Sequence, residues 1–225
     1  TGQQTLILFD GLRLNHALFR KGPNQYLFTV DARTLERLEV VRGSASVDYG
    51  NDAIAGAVLL APLQPRIDPK QTGFKLSPKA ALRYATADQD HGGRIQLNAQ
   101  FGTKAGLLLG VGARRVGQLE AGGYAFGDAV REERGCTDIL SVPCFETDGR
   151  TQLGTGFDEV TGDGRFRIIL PRGTLDLAAY LYRQYDAART DQCPPPEAAI
   201  GECLLFEEQF RTQVYPRLAL RPDFT

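Results

Sequence analysis

Catalysis or metal binding needs nucleophiles, acids, bases or soft ligands that converge, and this chain of 225 residues offers few. Gly43-Ser44-Ala45-Ser46 lacks the G-x-S-x-G spacing that lifts a serine onto a strained strand-to-helix turn. Gly110 and Gly112 have no third glycine and no following helix to hold a dinucleotide. Asp88-Gln89-Asp90-His91-Gly92-Gly93 opens like a calcium loop, but its twelfth position is Ala99, where a bidentate acid is required. A polar turn between strands is the plainer reading. His16 and His91 are the only imidazoles. Either could ligate iron, and a hydrogen-bonded loop histidine is the simpler state of each. The four cysteines fall into local pairs, Cys136 with Cys144 and Cys193 with Cys203, without C-x-x-C spacing. They are read as two loop-closing disulfides formed in an oxidising compartment. No enzymatic set, no protein-held metal and no resident cofactor is expected.

The elements that must carry these residues are mostly strands. A net charge of −1 with no block of like charges argues against nucleic acid as a partner. No apolar run is long enough for a membrane-crossing helix, so a membrane protein of this sequence would have to be a closed β-barrel. The chain opens on Thr1 without a leader pattern, which reads as an internal piece of something longer. Pro62–Pro69 is an extended linker. Beyond it, side chains alternate with a period of two, which places strands at about 76–87, 93–103, 106–118, 158–170, 174–190 and 208–221. Lys104-Ala105 and Pro171-Arg172-Gly173 are tight turns, whereas 119–157 and 191–207 are long loops. Short turns at one end and long loops at the other are the pattern of an outer-membrane barrel, and both cysteine pairs fall in the long loops. One face of these strands is aliphatic. The other carries Arg83, Arg94, Gln96, Asn98, Gln100, Arg114, Arg165, Arg167, Gln184, Arg211, Gln213 and Arg217. A dry core would not tolerate that set unpaired, so this face lines a lumen or meets a plug.

Leu35–Val58, LERLEVVRGSASVDYGNDAIAGAV, resembles the C-terminal end of the plug domain of TonB-dependent outer-membrane receptors, roughly IERIEVVRGPSSxLYGSxAIGGVINI. Leu8–Asn15, LFDGLRLN, resembles an upstream plug strand of that family. Ser44 stands where the family has Pro, and Ala55 where it has the first Gly of a pair. The resemblance carries Gly43, Tyr49, Gly50 and Gly56 as plug-motif positions. It implies that Arg37 and Arg42 contact the barrel wall, and that His16, Arg20, Lys21 and Tyr26 belong to an apical, ligand-facing plug loop. The implied organisation is the C-terminal part of a plug (1–61), a linker (62–75) and about six barrel strands (76–225). The implied function is active uptake of a scarce ligand, a ferric siderophore or haem, across the bacterial outer membrane. Its partners would be outer-membrane lipid, the iron chelate or haem, and the energising TonB–ExbB–ExbD complex. Two other classes compete. A secreted, disulfide-stapled β-sandwich for binding or adhesion predicts an apolar core between two sheets and a solvated polar face. A surface enzyme would need converging groups, and loop 119–157 offers only scattered acids.

Overall fold

The computed structural model describes residues 5–14, 27–50, 52–124, 150–152, 154–188 and 205–220. It contains two main sheets. The first comprises β1 (Thr5–Phe9), β2 (Leu12–Arg13), β3 (Leu35–Arg42) and β4 (Gly56–Pro62), in the order β2-β1-β4-β3. β1 runs parallel to β4, and the other pairs are antiparallel. A central strand must satisfy both its faces, and the unbroken apolar run Leu6-Ile7-Leu8-Phe9 suits that position. Leu6 packs with Ala45, Ala53 and Ala57 on one face. Ile7 and Phe9 pack with Leu14 and Leu60 on the other.

The β1–β2 hairpin turns through Asp10 (φ 50°) and Gly11 (φ 80°), left-handed positions that match a two-residue hairpin and the D-G pair that favours it. The family-like glycines also have a geometric reason. Gly43 and Gly50 have positive φ, and they flank the single helical turn α1 (Ser46–Tyr49). Gly56 enters β4 at φ 147°, where a Cβ would collide with the carbonyl of Val41.

The second sheet is an antiparallel meander of β5 (Phe74–Tyr84), β6 (His91–Phe101), β7 (Ala105–Val116), β10 (Phe157–Leu170), β11 (Gly173–Ala188) and β12 (Leu205–Leu220). Its order, β12-β11-β10-β7-β6-β5, contains no crossover. β8 (Leu119–Glu120) and β9 (Thr151–Gln152) pair as a small ribbon in the connection between β7 and β10. Each wall strand begins and ends within three residues of the span read from alternation. The turns at 102–104 and 171–172 share one end of the sheet, and the long connections share the other.

The faces of this wall invert the usual rule. Ile95, Val111, Leu177, Leu181, Val214 and Leu218 are exposed, the last at 57%. Arg94, Asn98, Gln100, Glu159, Arg165, Asp176 and Gln184 are buried, Arg165 at 1%. The first sheet covers this polar face, and Phe9 and Ile7 cluster with Ala178 and Tyr180 of β11. A β-sandwich would have its apolar face inside and its polar face in water, so the sandwich reading fails on burial. β5 and β12 each pair on one side only, which leaves the wall an open sheet with two edges.

Candidate functional site

The polar seam between plug sheet and wall holds two ionic clusters. The first is built on Asp10 at the tip of the β1–β2 hairpin. The Arg165 guanidinium donates to its Oδ2 at 2.6 Å and the Tyr215 hydroxyl at 2.5 Å, while Arg217 donates to Oδ1 at 3.1 Å. Arg165 also donates to Asp176 at 3.0 Å, and Asp176 accepts twice from Arg167, at 2.6 and 2.8 Å. One plug carboxylate thus ties β10, β11 and β12 together through paired charges. Phe9 meets Tyr180 edge-on at 4.8 Å, and the Arg211 guanidinium lies 4.6 Å from the Phe9 ring centre. Arg211 also donates to the Thr29 carbonyl of the plug at 2.9 Å.

The second cluster surrounds a cavity of about 320 Å³ toward the long-loop end of the wall. Its plug side is Val30–Arg33, and its wall side includes Arg83, Arg114, Phe157, Glu159 and Tyr182. Alternation alone puts Arg114, Glu159 and Tyr182 on the inner face, because Glu159 pairs with Arg114 and Gln184 across the strands. Arg114 donates to Glu159 at 3.1 Å, and the Tyr182 hydroxyl donates to the same oxygen at 3.1 Å. Arg33 of the plug lies 4.0 Å from the other oxygen of Glu159. Arg83 bonds Asp90 at 2.5 Å, and Arg114 is 3.8 Å from that carboxylate.

Asp31 caps the 3-10 turn Ala32–Thr34 and accepts from the Arg33 amide (2.9 Å) and the Thr161 hydroxyl (3.3 Å). Burial would raise the Asp31 carboxyl. The hydrogen bonds from Arg33, with the charges of Arg33 and Arg94, outweigh it and hold the group below the usual carboxylate range. The cavity therefore presents three guanidiniums, each with a carboxylate beside it, and the faces of Phe157 and Tyr182. The paired charges balance, so the lining combines hydrogen-bonding groups with aromatic surface.

None of the candidate site residues that the sequence suggests and the structure describes falls on this seam. Arg37 bonds Glu39 at 2.5 Å within β3, and Arg42 is exposed at the end of the same strand. Tyr49 ends α1, partly exposed. His91 opens β6, with its Nδ1 3.0 Å from the carbonyl of Gln89, as a turn histidine would be. His16, Arg20, Lys21 and Tyr26, and Cys136, Cys144, Cys193 and Cys203, lie outside the described residues. Among the described residues no group of three or more His, Cys, Asp or Glu could hold a metal ion. Asp10, Asp31, Arg33, Glu159 and Asp176 were not expected as site residues. The signal for the wall pair was present, since Glu159 and Asp176 share a face with Arg114, Arg165 and Arg167. Asp90 lies in the expected polar turn between β5 and β6, and its side chain is fully buried against Arg83.

Residues 1–57 match the family model of the TonB-dependent receptor plug domain. The solved structures similar to the chain are receptors of the same kind. The siderophore receptor PirA from Acinetobacter baumannii matches at 16% identity and a TM-score of 0.53, over 95% of this chain and 29% of that one. PirA from Pseudomonas aeruginosa matches at 18% identity and a TM-score of 0.46, over 81% and 26%. The ferric enterobactin receptor PfeA, from the same organism, matches at 20% identity and a TM-score of 0.48, over 82% and 26%. No curated protein matches the chain. Residues 1–57 are thus similar to a receptor plug, and the chain as a whole shares the fold of a plug followed by barrel strands. The chain spans between a quarter and a third of the length of these receptors.

Proposed function

We propose that the protein takes up a ferric siderophore across the bacterial outer membrane, driven by the TonB–ExbB–ExbD complex. The observation that carries this reading is the cavity of paired arginines between the plug and the long-loop end of the wall. An anionic iron chelate would enter from that end and find charge and aromatic surface shared between plug and barrel. The chelate is cargo, and no covalent chemistry is asked of the chain. The aliphatic outer face of the wall would sit in lipid, and further strands would close it through the edges of β5 and β12. Arg37 and Arg42 would face that additional wall. The long loops with their cysteine pairs would lie outside the cell, where disulfides persist.

The test is uptake of radioactive iron, supplied as a ferric catecholate, by iron-starved cells that express the full-length protein. Uptake that needs both this protein and TonB supports the reading, and Arg114→Ala should weaken chelate binding about tenfold. Uptake of haem but not of the chelate would reassign the ligand. Equal uptake with and without the protein would overturn the proposal.

A further inference from the structure

The segment that leaves the plug is docked on the wall in an unusual way. Residues 63–68 have no regular secondary structure. Their backbone nevertheless makes paired bonds like those of a strand, with side-chain amides as partners. The Arg66 amide donates to Asn98 Oδ1 at 2.8 Å, and Asn98 Nδ2 donates back to the Arg66 carbonyl at 3.3 Å. Two residues on, the Asp68 amide donates to Gln100 Oε1 at 3.0 Å, and Gln100 Nε2 returns a bond to the Asp68 carbonyl at 2.7 Å. Asn98 and Gln100 are alternate residues of β6 on its inner face, so linker and strand advance in step.

Three further features fit the same docking. Pro65 and Pro69 have no amide to donate, and the residues between them that use the amides are Arg66 and Asp68. Gly106 of β7 is buried beneath the segment, where a Cβ would run into Pro65 and Ile67. Arg167 of β10 donates to Gln64 Oε1 at 2.8 Å. Upstream, the Leu63 amide bonds the Thr34 carbonyl at 2.8 Å, which joins the start of the linker to the plug.

We propose that residues 64–68 are a clamped rail, seated on the wall by Asn98 and Gln100, that fixes the C-terminal end of the plug and confines plug movement to the segment before Pro62. An extended, proline-stiffened segment has little slack, and its bonds to two wall strands, β6 and β10, load together when it is pulled. The clamp stands independently of the uptake reading, whereas its role during transport rests on that reading.

Hydrogen exchange on the full-length protein in detergent tests the clamp. In Asn98→Leu/Gln100→Leu the amides of Arg66 and Asp68 should exchange at least about tenfold faster, with β1 and β4 protected as before. Gly106→Val, which leaves the amides in place and fills the cradle, should have the same local effect. Wild-type exchange at Arg66 and Asp68 in both variants would overturn the proposal, as would loss of protection across β1 and β4 in step with the linker. In cells the double variant should bind chelate normally and transport it several-fold more slowly. Absence of uptake by the wild-type protein, with linker exchange as expected, would count against the transport reading alone.

Discussion

Asp10 shows how much one side chain can carry. It sits at a left-handed turn position and accepts from Arg165, Tyr215 and Arg217, with Arg165 itself almost fully buried. Removing one member of a buried pair leaves an uncompensated charge, so Asp10→Ala should cost about 3–5 kcal/mol of plug docking. Urea titration of β1 amide protection would measure this, and a cycle with Arg165→Met should recover part of the loss. Asp31 makes a pH prediction with a definite sign. Its folded pKa is depressed, so its contribution is fully present above the ordinary carboxylate value and is lost as pH falls through the folded one. Docking of residues 27–34 should therefore be flat from about pH 8 to pH 5 and weaken below about pH 4, by protease accessibility, with Asp31→Asn lacking that acid step. Neither residue's role was legible in the sequence. In the sequence Asp10 shows only as part of the family-like strand Leu8–Asn15, because sequence shows which face a residue takes and not which element lies opposite. At Asp10 the plug supplies the acid and the wall the arginines, whereas at Glu159 the wall supplies the acid and the plug supplies Arg33.

At the scale of elements the sequence was far more readable, because a strand with one polar and one apolar face writes its period into every second residue. Leu175, Leu177, Ala179 and Leu181 against Asp176, Ala178, Tyr180 and Tyr182 mark β11 to within two residues at each end, and they mark its inner face. The two faces should therefore respond differently to the same charge. Leu177→Arg would place a guanidinium in lipid and should destabilise the folded barrel by about 2–4 kcal/mol, whereas Gln96→Arg on the inner face should change little. Urea refolding of the full-length protein into vesicles compares the two, and equal cost would contradict the assignment of faces. In the plug the sensitive element is β4. Gly56→Ala meets the Val41 carbonyl and a φ suited only to glycine, so it should cost roughly 2–4 kcal/mol and loosen β3 from β4, read by amide exchange.

For the whole molecule the question is what the plug sheet excludes. With it in place, the inner face of the wall is closed by the Asp10 cluster, the Arg33–Glu159 contact and the clamped linker. Without it, Lys75, Lys79, Arg83, Arg94, Arg114, Arg165, Arg167, Arg211 and Arg217 would face the interior against Glu159, Asp163 and Asp176. Asp10 of the plug pairs with Arg165 and Arg217, so removing the plug takes away a carboxylate from a face already rich in arginine. A full-length protein lacking residues 5–62 should therefore form a water-filled pore in a planar bilayer and pass small anions more readily than cations. The reversal potential in a salt gradient gives the sign directly, and Arg165→Gln with Arg167→Gln in the deleted protein should move it toward zero. A deleted protein that inserts and folds but does not conduct would mean that the arginine face is not a lumen, and the barrel reading would fall with it.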